Sequence, residues 1–143
     1  MSDRALCVAS AVLAVAGAAV AGYLLYVRHT GSALACATGG CETVQSSPYS
    51  ELFGVPVAAF GLVGYATLFA AAVARGELAR LAHVTVGLSA VVFGAYLLYV
   101  QVHLIGAVCD WCLVSDGLTT AIAALALLRM RADALRPAFG ARA

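Results

Sequence analysis

Four apolar runs divide the chain. Residues 5–27 (23 positions), 55–74 (20) and 84–104 (21) carry no charge, and residues 111–128 (18) carry one acid, Asp116. A bilayer's hydrocarbon core is about 30 Å thick and takes about 20 apolar residues as a helix. In lipid the backbone must satisfy its own polar groups, which favours helices over open strands. All four runs are rich in Ala, Leu, Val and Gly, and small residues let membrane helices approach closely. The pattern predicts an all-α membrane protein. It is a four-transmembrane-helix bundle, one domain over residues 1–143, with a long extracytoplasmic loop, 28–54, between helices 1 and 2. A signal peptide's apolar region runs to about 7–15 residues. The first run is longer, so it reads as a retained span, although Ala33-Leu34-Ala35 resembles a cleavage site.

Composition agrees. Hydrophobic residues make up 64% of the chain and charged residues 10%, and the mean hydropathy is +0.99. A disordered chain would be polar and charged instead. A formal net charge of +1 gives no electrostatic case for nucleic acid. Every basic residue is Arg. Arg4, Arg75, Arg80, Arg129, Arg131, Arg136 and Arg142 fall on one side of the expected bundle, and Arg28 alone on the other. The positive-inside rule then places both termini in the cytoplasm and the loops 28–54 and 105–110 outside. The expected location is the cell (inner) membrane. The segment after residue 128 reads as a solvated basic tail, and His83 as an interfacial residue at the cytoplasmic end.

Four of the five cysteines fall on the outer face, where disulfides persist. Cys7, near the cytoplasmic end of the first span, reads as a small hydrophobe. Cys109-Asp110-Trp111-Cys112 is a CxxC that opens a helix. A helix N-terminus carries partial positive charge and stabilises a thiolate, the attacking species in disulfide exchange. Cys36 and Cys41 are separated by Ala-Thr-Gly-Gly, and the glycines allow a tight turn. This pair is either a shuttle between an outside partner and the membrane rim or a static staple in a structural adaptor. A zinc or soft-metal module built from all four thiols is a third possibility, since paired cysteines are an accepted zinc pattern.

At these residues the sequence resembles the bacterial branch of the vitamin K epoxide reductase family. The matching pieces are Cys36, then Cys41-Glu42-Thr43-Val44-Gln45-Ser46-Ser47-Pro48, Phe53-Gly54-Val55-Pro56, Phe60-Gly61 and Cys109-Asp110-Trp111-Cys112-Leu113-Val114-Ser115-Asp116. The resemblance covers nearly the whole chain. It implies a relay from an extracytoplasmic thioredoxin-like partner through the loop pair and the CxxC to a membrane quinone, menaquinone or ubiquinone. By that resemblance Cys36 faces the partner, Cys41 exchanges with Cys109, and Cys112 lies next to the quinone. Ser47 falls where the family has a functional serine. The Asn and Tyr that hold substrate in the animal enzymes have no clear counterpart. No thioredoxin-like domain is fused to these residues, so the partner is expected to be a separate protein.

Cys109, Cys112 and Asp116 are spaced i, i+3, i+7, on one helix face. A charged carboxylate within a bilayer costs about 2.5–3.5 kcal/mol on insertion scales, so Asp116 should face the bundle. It serves there either the quinone site or a packing contact with a hydroxyl. Tyr96, Tyr99 and His103 share the same spacing on the third helix and either line a ring pocket or form an interfacial aromatic belt. Trp111, Tyr96 and Phe60 complete the candidate quinone-binding set with Asp116 and Ser47. No protein metal site is expected within the relay.

Overall fold

In the computed structural model the backbone is described for residues 2–140 and the side chains for residues 2–132. Arg142 and the Arg136 side chain, both counted in the charge asymmetry, lie outside the described residues. Helix α1 spans Asp3–Thr30. Ser2 Oγ accepts the Ala5 N–H at its start, and Asp3 in the first turn complements the helix dipole. A short helix α2, Cys41–Gln45, and a single 3-10 turn, Pro48–Ser50, follow. Strands β1 (Glu51–Leu52) and β2 (Val55–Pro56) then pair antiparallel. The two residues between them, Phe53 and Gly54, both have positive φ, 55° and 78°, as a tight primed hairpin turn requires. Helices α3 (Val57–Val73), α4 (Glu77–Val100) and α5 (Asp110–Gly140) complete the chain, with a π-turn, Gln101–Ile105, closing α4.

The four long helices pack as a ring: α1 against α3 and α5, and α4 against α3 and α5. Ala14, Ala21, Tyr65, Leu68 and Ile122 form a buried core at their centre. The Tyr65 hydroxyl donates to the Ser115 carbonyl at 2.8 Å and lies within 3.0 Å of the Ser115 and Thr119 hydroxyls. Those bonds hold its ring over Gly17, where any added Cβ would overlap it. Gly17→Ala should therefore cost about 1–3 kcal/mol, the usual penalty of overpacking a core. A lowered thermal unfolding midpoint in detergent checks this.

Among the described residues, three segments are long and apolar enough to cross a membrane: Asp3–Thr30, Glu77–Ile105 and Asp110–Ala132. The second expected span differs. Val55 and Pro56 are taken into the hairpin, so α3 is an apolar helix of 17 residues. Two expectations at the other end of the bundle are corrected. The fourth helix does not stop at 128, and Arg129 is not in a solvated tail. It is 4% exposed, pairs with Asp3 at 3.0 Å and donates to the Ala72 carbonyl, tying α5 to α1 and α3. His83, expected at the interface, is 1% exposed and packed within the bundle at the Arg129 end. Helix α4 begins at Glu77, several residues before the apolar run, so His83 falls inside the packed length.

Candidate redox site

The end of the bundle opposite Arg129 gathers four of the five cysteines. Cys36 and Cys41 form a disulfide. Cys109 and Cys112 are free thiols. Cys112 Sγ donates to Cys109 Sγ with the two sulfurs 2.6 Å apart, a small movement from the ~2.05 Å of a disulfide bond. That hydrogen bond holds the Cys109 thiol below its usual pKa against the opposing effect of burial, and a lower pKa favours the nucleophilic thiolate. Cys41 and Cys109, both fully buried, sit in one cluster with Val44. Cys36 is only half-buried.

The loop carrying Cys36 and Cys41 is seated on the start of α5. Asp110 Oδ2 accepts the N–H groups of Ala37 (2.7 Å) and Thr38 (3.0 Å) and lies 3.3 Å from Cys36 Sγ. The Trp111 indole N–H donates to the Ala35 carbonyl at 2.7 Å, and its ring packs on Tyr23 with centroids 5.0 Å apart. The Thr38 hydroxyl donates to the Val108 carbonyl. Gly40 lies directly against the Val108 backbone, where a side chain would overlap the carbonyl. The base of the loop is fixed by Arg28, which donates to the Gln45 carbonyl and Ser50 Oγ and pairs with Glu51.

Below the cysteines the bundle holds a partly open cavity of about 350 Å³, within the range of small-molecule sites. Its lining includes Cys112, Asp116, Gln101, Tyr65, Phe60 and Ser47. Asp116 Oδ2 is buried with no hydrogen-bond partner among the described residues. A largely apolar cavity with an unpaired carboxyl beside a thiol, able when protonated to donate to a carbonyl, suits a flat ring bearing carbonyls, so the residues present fit a quinone.

The candidate residues thus divide. Cys112, Asp116, Ser47 and Phe60 line the cavity, whereas Trp111 and Tyr96 do not. Cys112, Asp116 and Thr119 follow one another at helical spacing. Trp111, one position before Cys112, is rotated about 100° from that face and turns to the loop. Tyr96 is 54% exposed and stacks on Phe93. Tyr99 is also exposed and stacks on His103. The four thiols do not converge on one point. Among the described residues, the group with ligand atoms within 4.8 Å of one another is Cys36, Cys41 and Asp110, and its two sulfurs are bonded to each other.

Gln101 is a site residue that the apolar pattern passed over. Its Oε1 accepts the buried Cys109 N–H at 2.8 Å, so it holds the backbone at the first cysteine of the CxxC. A lone amide within an apolar run was the available signal, since polar groups at membrane depth are expensive. Gln101→Leu should leave that N–H unpaired and cost about 1–3 kcal/mol, read as a lower unfolding midpoint.

Comparison with known proteins agrees with the geometry. The model of the vitamin K epoxide reductase family matches residues 8–127. The chain is 30% identical over 131 residues to the thiol-disulfide oxidoreductase LTO1 of Arabidopsis thaliana, covering 82% of this chain and 35% of that protein. The chain thus spans about a third of that relative's length. With helices built for a membrane, two cysteine pairs at one end and a match over most of its length, the chain belongs to the vitamin K epoxide reductase family.

Proposed function

We propose that the protein is a membrane thiol-disulfide oxidoreductase that passes electrons from an extracytoplasmic thioredoxin-like protein to a membrane quinone. The observation that carries this reading is the line of sulfurs, from half-buried Cys36 through buried Cys41 and Cys109 to Cys112 on the cavity wall. The relative's name, thiol-disulfide oxidoreductase, supports the same class. In the first step a thiolate of the reduced partner attacks Cys36. The Cys36–Cys41 bond breaks and Cys41 leaves as thiolate. The partner's second thiol then closes the partner's disulfide and frees Cys36. Next, Cys41 attacks Cys109 of a Cys109–Cys112 disulfide, and Cys112 leaves as thiolate. Cys36 then attacks Cys41, restoring the loop disulfide and releasing Cys109.

A quinone held in the cavity would take up two electrons and two protons there. The Cys109 and Cys112 thiols would supply both and close to a disulfide. A protonated Asp116 would donate its O–H to a quinone carbonyl, and Phe60 and Ser47 bound the site.

The same reading includes four crossings of the bilayer. Helix α3 is short for a span, but the apolar hairpin that precedes it, with Phe53 95% exposed at its tip, extends its apolar length at the outer side. The termini then lie in the cytoplasm and the cysteine end outside, in the inner membrane, with the helices and loop acting as one domain. Exported proteins are the ultimate source of the electrons.

The test uses purified protein, a reduced thioredoxin-like protein and a soluble quinone analogue. Quinone absorbance should fall only when all three are present. Failure of the reduced partner to lose thiols to the protein would overturn the proposal.

A further inference from the structure

The two residues between the CxxC cysteines are turned outward and hold the loop, and neither lines the cavity. Asp110 presents one oxygen to two consecutive loop amides, those of Ala37 and Thr38. A carboxylate accepting two N–H bonds makes charge-assisted contacts, roughly twice as strong as neutral ones. Trp111 donates to Ala35 on the other side of Cys36. Its ring packs at a tilt on Tyr23, whose hydroxyl accepts the Ala35 N–H. Cys36 is therefore bracketed at residues 35, 37 and 38 by contacts to the CxxC itself.

We infer that Asp110 and Trp111 form a docking platform that seats the loop on the CxxC, fixing Cys41 against Cys109 while Cys36 stays on the solvent side. They are positioning residues. Neither lines the cavity; Trp111 packs on the cluster that holds Cys41 and Cys109, and in the loop-to-helix step neither residue attacks or leaves. The inference deepens the proposed relay and rests on it for its purpose, but the docking itself is a property of this chain alone.

Three consequences follow from the geometry. Disulfide exchange requires the attacking sulfur to reach the target along a defined line, so a seated loop raises the local concentration of Cys41 at Cys109. The platform also assigns the two loop sulfurs different tasks. The brackets lie around Cys36, on the partner-facing side, and leave Cys41 on the side facing Cys109. Finally, because the contacts come from within the CxxC, the seat and the target sulfur move as one body with the start of α5.

The experiment isolates the seat from turnover. A full-length variant with Cys7→Ala, Cys36→Ala and Cys112→Ala keeps Cys41 and Cys109 as its two thiols. In detergent it is equilibrated with mixtures of reduced and oxidised glutathione, and the fraction carrying the Cys41–Cys109 disulfide gives their effective concentration. Adding Asp110→Ala should lower that value at least tenfold. Trp111→Phe keeps an aromatic ring but removes the N–H together with the five-membered ring, and should lower it about threefold. The thermal midpoint of each variant is measured in parallel, and both should stay close to the parent's. Effective concentrations within a factor of two of the parent in both variants would overturn the platform. A drop in effective concentration that simply tracks a collapsed midpoint would overturn it as well. If the drop occurs as stated while the native protein reduces no quinone, the platform stands and the proposed function fails.

Discussion

Replacing Cys112 with Ala should abolish quinone reduction while leaving the fold intact. Cys112 lines the cavity and its sulfur is the one in contact with both Cys109 and the cavity wall. Without it, Cys109 has no partner with which to close a disulfide after electron delivery. The loss of turnover should be at least about 10³-fold, as when a reacting group is deleted from a catalytic set. The same variant should redistribute its remaining disulfide. The Cys109 thiolate can attack Cys41 of the loop disulfide and release Cys36, so a Cys41–Cys109 linkage should accumulate. Mass mapping of peptides under non-reducing conditions reads that linkage, and quinone absorbance reads the turnover. Normal turnover in Cys112→Ala would remove this residue from the relay.

The second large effect is expected at a residue without a functional group. Gly40 packs directly on the Val108 backbone, so the methyl of Gly40→Ala would overlap the Val108 carbonyl. Backbone on both sides leaves no flexible side-chain end to yield. The loop must lift, and Cys41 must move away from Cys109. A misplacement of about 1 Å costs about 100-fold in favourable cases of positioned reaction. Gly40→Ala should therefore slow quinone reduction by about that factor. The loop disulfide should still form, because Cys36 and Cys41 move together. Reduction of the Cys36–Cys41 pair by the thioredoxin-like protein should stay within a few-fold of normal. The contrast between the two half-reactions separates a seating defect from general misfolding.

Much of the frame was legible from local pattern. Apolar runs of bilayer length mark α1, α4 and α5, because helical membrane spans depend on composition over about 20 residues. The CxxC opening the last helix and the second cysteine pair were equally plain. What escaped depends on contacts between distant positions. The Val55–Pro56 pair is apolar and reads as the start of a span. It becomes a strand because Glu51 and Leu52 lie opposite it across a positive-φ turn at Phe53 and Gly54. Arg129 reads as solvated, yet it is buried because Asp3 and the Ala72 carbonyl meet it from positions 126 and 57 residues away.

The same limit applies to the candidate site. Helical spacing alone groups Cys109 with Cys112 and Asp116, and Cys112 and Asp116 do share the cavity. Cys109 precedes α5 and instead joins the cluster of Cys41 and Val44. Trp111 and Tyr96 are aromatic residues near the outer rim, which is as much as a linear pattern says of them. Their direction is fixed by which face of each helix meets a neighbour. Trp111 finds Ala35, 76 residues away, and no window along the chain encodes that meeting.

The most direct measurement is a single-turnover experiment on the full chain in lipid nanodiscs with bound menaquinone or ubiquinone. Reduced thioredoxin-like protein is added in excess without oxygen, and quinone absorbance is followed with acid-quenched samples mapped for disulfides. The relay predicts loss of the Cys36–Cys41 bond first, a transient Cys41–Cys109 linkage next, and quinone reduction last. Quinone reduction at an unchanged rate in a Cys36→Ala, Cys41→Ala protein would contradict it, because the electrons would then bypass the loop.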